Sequence, residues 1–299
     1  MPAPVRVRVP AKVNLQLSVG PLRPDGYHEL VTVFHAVDVY DELIVGAGEG
    51  ITLAVSGADA VPAGPDNLAW RAAQLLAETA GVAANVRLEL HKRIPVAGGM
   101  AGGSADAAAA LLGCARLWGV AADLPVLAAL AAQLGADVAF SLLGGTAVGT
   151  GRGEILAPLP RHMPLHWVFA LADGGISTPA AYGELDRLRA AGAAPAPIGP
   201  PDALLAALAA ADLAGVAAGL GNDLEAAALA LRPELGATLD AGRQAGALAG
   251  LVSGSGPTCA FLCTDGAAAE TVAQQLRTTG GCRQALVASG PVDGAHVVS

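Results

Sequence analysis

The chain has 299 residues, enough for one large or two medium domains, and only 3% are aromatic and 14% charged, so alanine, valine and leucine must do the packing. A formal charge of −9 with no basic stripe argues against a nucleic-acid surface, yet leaves room for a small anion held locally by backbone amides. The cysteines Cys114, Cys259, Cys263 and Cys282 form no CxxC pair and have no histidines at metal spacing, so reduced, buried thiols in a cytoplasmic protein are expected.

The first residues carry charges but no apolar core of a signal peptide. They alternate instead: Val5, Val7 and Val9, then Val13, Leu15, Leu17 and Val19 share one face, with Arg6, Arg8, Lys12, Asn14, Gln16 and Ser18 on the other. That pattern predicts a half-buried pair of strands broken near Pro10. After the turn "RPDGYH", strand is expected over 30–43 and again over 51–55. Asn67 caps a helix running to about Thr79, and 86–92 alternates as a strand. Helices are expected from Pro125 to Leu134 and over "ADVAFSLL", followed by strand in "GTAVGTGRGE". The proline-rich stretch 156–164 is the expected domain boundary, giving halves 1–158 and 159–299.

The second half reads as strand over 166–171, helices near 179–191, 204–220, 224–231 and 233–245, and strands in "LVSGSGPTCAFL" and "CRQALVAS" with a helix between them. The stretch Ala203 to Leu220 is the most membrane-like, but Asp212 at its middle would cost about 2.5–3.5 kcal/mol at a bilayer centre. It is expected to be one or two helices of a protein without a membrane span. Strands and helices mix without a regular βαβ beat, so the expected class is α+β.

The chemistry concentrates in "PVAGGMAGGSADAAAALLG". Gly98, Gly99, Gly102 and Gly103 give a backbone free to take positive φ and to approach a ligand with no Cβ in the way. Ser104 is placed to cap the helix that follows, Ala105 to Trp118, with Leu111, Ala115 and Trp118 on one face and Gly119 as its stop. Unpaired N–H groups and the positive end of the helix dipole make such a junction an anion site. It is neither common nucleotide fingerprint: GxxxxGK[ST] would need a lysine where Ser104 stands, and GxGxxG has its glycines at other offsets.

With its flanks, the loop resembles the phosphate motif of the GHMP kinases. "PAKVNLQLSV", "RPDGYHELVTVF", "GADVAFSLLGGTAVGTGRGE", "GNDLE" and "SGSGPTCAF" follow in family order over nearly the whole chain. They are most similar to the branch that phosphorylates the 2-hydroxyl of a cytidine-diphosphate-linked methylerythritol in the non-mevalonate route to isoprenoids. The resemblance implies two domains with the site in the cleft between them, a small-molecule acceptor, and ATP with Mg²⁺. It implies nucleotide contacts from Pro95, Val96, Ala97, Gly98, Gly99, Met100, Ala101, Gly102, Gly103, Ser104 and Ala105. Asn67 is a helix cap first, with adenine contact a lesser role.

Asp137 follows a helix-ending glycine, where a carboxylate is often only a cap; the family role implied is the base that receives the hydroxyl proton. Lys12 reads alone as a solvated strand lysine, and by resemblance as the cation that holds the aspartate ionised and offsets charge on the attacking oxygen. Asn14, two residues on, shares its face and suits the polyol. Tyr27 and His28 are implied to address the cytosine, with Tyr182 closing a sandwich against Tyr27 and Thr178 facing the phosphate region. Asp106 is as easily a helix-dipole partner as a ligand contact. A homoserine- or mevalonate-type kinase is the nearest rival reading, and a nucleotide-binding sensor without catalysis a more distant one.

Overall fold

A computed structural model describes residues 2–58, 61–96, 98–160, 163–279 and 281–298. In chain order the first half holds β1 (Val5–Leu22), β2 (His28–Gly46), β3 (Ile51–Ser56), α1 (Leu68–Ala80), β4 (Val86–His91), α2 (Gly102–Trp118), α3 (Leu124–Leu134), α4 (Ala136–Leu143), β5 (Thr146–Gly151) and β6 (Ile155–Leu159). The second holds β7 (Leu165–Leu171), α5 (Thr178–Ala190), α6 (Asp202–Ala209), α7 (Leu213–Gly219), β8 (Gly221–Asn222), α8 (Glu225–Leu231), α9 (Glu234–Gln244), β9 (Ala249–Val252), β10 (Cys259–Cys263), α10 (Gly266–Thr278), β11 (Gln284–Gly290) and β12 (His296–Val298).

The fold is α+β with two sheets. The first runs β12-β1-β2-β4-β3, with β5 and then β6 continuing from β2 and β8 joining β1; the second runs β11-β7-β10-β9. Strand β6 carries the first sheet through the proline-rich stretch to Leu159, and β12 brings the far end of the chain back beside β1. The first sheet is therefore assembled from both ends of the sequence. No described helix is long and apolar enough to cross a membrane.

Two expectations change. The N-terminal segment is one continuous strand and not a broken pair. Pro10 sits where the β1–β2 register shifts, after β12 has ended opposite Arg8 and before β8 begins opposite Gln16. A missing N–H is tolerated where ladders are interrupted. The middle of that strand's polar face is also not exposed: Lys12, Asn14 and Gln16 are 5%, 2% and 3% accessible. Backbone and side-chain groups from distant segments cover it, the Lys12 N–H donating to the Met100 carbonyl and Gln16 Nε2 to that of Gly199.

The second change concerns α2. It starts at Gly102, its N-cap is Ala101 at φ 60°, and Ser104 lies inside the first turn and caps nothing. The helix has no single buried face, because it lies on β1 and β2 with α1 and α4 beside it. Residues 105–111 and 113–115 are buried all round, and a Cβ on Gly113 would stand 2.5 Å from Val45 Cγ2. Alanine is what fits there. A helix enclosed on all sides packs with small side chains, while the bulky buried rings Trp167, Phe169, Phe261 and Phe140 lie elsewhere in the core.

Candidate active site

A cleft of about 1180 Å³ is lined by β1, β2, the glycine loop, the α3–α4 junction and α5. Its wall brings together Lys12, Asn14, Tyr27, His28, Asn67, Pro95, Val96, Gly98, Gly99, Ala101, Gly102, Gly103, Ser104, Asp137, Thr178 and Tyr182. Met100 and Ala105 do not line it. Both are wholly buried in the core, where they support the loop from behind. Ala97 lies outside the described residues. The charged lining is balanced, with Lys12, Lys92, Arg71 and Arg152 against Asp66, Asp106, Asp137 and Asp186. An overall charge of −9 therefore does not exclude an anionic ligand from this surface.

At the centre, Lys12 Nζ lies 3.5 Å from Asp137 Oδ2 and donates to Asn14 Oδ1 at 2.6 Å. Asn14 Nδ2 donates to Thr32 Oγ1, whose hydroxyl donates to the Gln16 carbonyl, both at 2.8 Å. The ammonium also stands 5.7 Å from the centre of the Phe34 ring. Side chains so tied hold one geometry. Asp137 is the second residue of α4; Gly135 is the N-cap and no side chain caps the helix. The cap reading of Asp137 is therefore set aside, and a third of its side chain remains open to the cleft.

The glycine loop is held from two sides. Gly99 has φ 71°, and a Cβ there would stand 2.0 Å from the Ser253 carbonyl oxygen, so the loop meets the second half backbone to backbone. Ser253 Oγ donates to the Gly99 carbonyl at 3.2 Å. From beneath, Lys92 donates to Asp106 Oδ2 at 2.7 Å and to Asp41 Oδ2, while Asp41 Oδ1 accepts the Ile94 N–H at 2.8 Å. This cluster joins the end of the strand before the loop to the helix after it. Burial, and then the Asp41 carboxylate, push the Asp106 carboxyl up to about 8 against the pull of Lys92. Its Oδ1 is buried without a hydrogen-bond partner. Asp106 is thus a member of a buried cluster with Lys92 and Asp41 near the N-terminal end of α2.

Asn67 caps α1, accepting the Ala69 N–H at 2.8 Å, and also faces the cleft. On the opposite wall Tyr182 stacks on His28, with ring centroids 5.2 Å apart, and Tyr27 carries the Arg152 guanidinium 4.3 Å above its ring. Each tyrosine therefore already has a partner of its own. Thr178 Oγ1 lies 3.3 Å from Ser255 Oγ, at the edge of the loop that clamps Gly99.

Sequence patterns in the GHMP kinases N terminal domain and the GHMP kinases C terminal match residues 67–145 and 204–282. A Salinispora tropica protein named 4-diphosphocytidyl-2-C-methyl-D-erythritol kinase is 59% identical over 297 residues, covering 98% of this chain and 94% of the relative. The chain belongs to that kinase family. A Mycolicibacterium smegmatis member of the same name is 57% identical, with 98% of this chain and 92% of the relative covered. A crystal structure of 4-(cytidine 5'-diphospho)-2C-methyl-D-erythritol kinase superposes with a TM-score of 0.78 at 38% identity, over 95% of this chain and 98% of that one. A homoserine kinase from Cytophaga hutchinsonii, with a TM-score of 0.76 but 21% identity, shares the fold. Within the kinase family, Lys92 with Asp41, and Asp186 beside His28, lie outside the sequence motifs, whereas Arg152 and Ser253 lie inside them without having been given a role. Only Lys92 carried a local signal, as a cation at the inward end of an alternating strand.

Proposed function

We propose that this protein transfers the γ-phosphoryl group of ATP to the 2-hydroxyl of 4-diphosphocytidyl-2-C-methyl-D-erythritol, in the cytoplasm, as a step towards isoprenoid precursors. The observation that carries this is the Lys12–Asp137 pair, set in one cleft between a glycine loop at a helix N-terminus and a wall of aromatic rings.

The triphosphate lies along Gly98, Gly99 and Gly102 to Ser104, where free backbone N–H groups and the α2 dipole meet it. Among the described residues no group of three or more His, Cys, Asp or Glu is placed to hold a metal ion. Mg²⁺ therefore enters as part of the substrate MgATP, ligated chiefly by phosphate and water. The acceptor's base lies towards Tyr27, His28 and Tyr182, with Thr178 nearer its phosphates and Asn14 at the polyol.

Asp137 accepts the hydroxyl proton, the freed oxygen bonds to the γ-phosphorus, and the bond from that phosphorus to the β–γ bridging oxygen breaks to release ADP. Lys12 offsets negative charge as it develops on the attacking oxygen. With little covalent chemistry asked of the protein, its contribution is position and electrostatics. The test is ADP release with MgATP and each of CDP-methylerythritol, mevalonate and homoserine. Turnover with the first alone supports the assignment, and preference for either of the others replaces it.

A further inference from the structure

Helix α5 presents Tyr182, Asp186 and Arg189, spaced four and three residues apart and so on one face, to the β1–β2 hairpin. Tyr182 stacks on His28, Asp186 Oδ2 lies 3.2 Å from His28 Nε2, and Arg189 donates to the carbonyls of Val19 at 2.7 Å and Gly20 at 3.3 Å. The other ring nitrogen, His28 Nδ1, lies 2.9 Å from the same Gly20 carbonyl. A carbonyl and a carboxylate only accept. Asp186 therefore faces Nε2 as an acceptor and calls for an N–H there. The His28 side chain is 5% accessible, whereas that of Asp186 is 44% accessible and lines the cleft.

Given the cytidine-linked acceptor proposed above, on which this rests, we infer that Asp186 is a positioning residue for base selection: it fixes the His28 ring against Tyr182 with an N–H at Nε2. A ring held only at Nδ1 would leave Nε2 a bare lone pair. Held by Asp186, Nε2 is a donor, and its 3.2 Å contact is at the long end for such a bond, leaving the N–H able to serve a second acceptor. Cytosine offers acceptors at N3 and O2, whereas uracil has a proton on N3. The pair therefore favours the cytidine-linked acceptor over its uridine-linked analogue. The choice is made by the second half of the chain acting through a histidine of the first.

The experiment compares wild type, Asp186→Ala and Asp186→Asn with MgATP and the cytidine- and uridine-linked acceptors. Losing a charged hydrogen bond at this place should raise the KM for the cytidine-linked acceptor about tenfold in Asp186→Ala, with kcat and the KM for ATP within about twofold of wild type. The cytidine-to-uridine preference should narrow by a similar factor. Asp186→Asn keeps an accepting oxygen and should recover part of both losses. Nitrogen NMR of His28 should show a proton on Nε2 in wild type and a changed Nε2 signal in Asp186→Ala. Unchanged base preference together with an unchanged ring would overturn the role of Asp186 alone. A wild-type enzyme that does not use the cytidine-linked acceptor would overturn both this role and the function on which it rests.

Discussion

Replacing Lys92 by Met tests whether the ionic cluster under the glycine loop holds the phosphate site together. Met keeps most of the side chain's length and removes its charge. Lys92 and Asp106 side chains are each 3% accessible and that of Asp41 is 0%, so water does not reach in to compensate. Breaking a buried ion pair from one side costs about 3–5 kcal/mol, because a charge is left without its partner. For domains of this size each kcal/mol moves the melting temperature by about 2–4 °C, so a fall on the order of 10 °C is expected. Lys92 is also close to the loop itself, since a Cβ on Gly102 would stand 3.2 Å from its ammonium. The KM for ATP should accordingly rise while that for the acceptor stays near its wild-type value. Thermal unfolding and two-substrate kinetics read both effects. A loss of less than about 1 kcal/mol with ordinary ATP binding would show that the cluster is incidental to the site.

Asp137→Asn should leave the melting temperature nearly unchanged, since Asp137 caps nothing, and lower kcat by about 10²-fold or more; near-normal turnover would remove it from the chemistry. Gly99→Ala should destabilise by at least about 1–2 kcal/mol for its left-handed backbone alone, and raise the KM for ATP by displacing Ser253, whereas Gly103→Ala, whose Cβ meets no protein atom nearer than 3.6 Å, should leave the melting temperature nearly unchanged. Equal losses of stability in the two would sink the clamp. Tyr182→Ala should weaken acceptor binding by roughly 1–3 kcal/mol and spare ATP, as calorimetry with each ligand can show. The raised Asp106 carboxyl means that the folded state holds a proton which the unfolded chain, with a value near 3.8, releases. Its contribution to stability is therefore present at low pH and is lost as pH rises towards and through about 8, and the slope should flatten in Asp106→Asn. A variant with the wild-type slope would refute the assignment.

Much of the fold was readable because strand alternation and helix stops are local. Helix α4 falls on its predicted residues 136–143, and Gly119 ends α2 in the left-handed region as expected. What failed was the inference from polarity to exposure. Lys12, Asn14 and Gln16 alternate as a solvated face should, but segments near residues 100 and 199 fold over them. The start of α2 was misplaced because Ser104 is a good cap and Ala101 a poor one; tertiary clamping of Gly99 by Ser253 settled the matter against local preference. The pairs Asp41–Lys92 and His28–Asp186 are 51 and 158 residues apart, and no periodicity connects them. Strands of two or three residues such as β8 and β12 are too short to show a pattern at all.

The most direct measurement is the ratio of kcat/KM, with MgATP, for CDP-methylerythritol and for methylerythritol phosphate lacking the cytidylyl group. An enzyme whose aromatic wall binds a remote base gains rate from that base. The ratio should favour the cytidine-linked acceptor by at least about a hundredfold. Equal use of the two acceptors would contradict the assignment of the cleft between Asp137 and the Tyr27, His28 and Tyr182 wall.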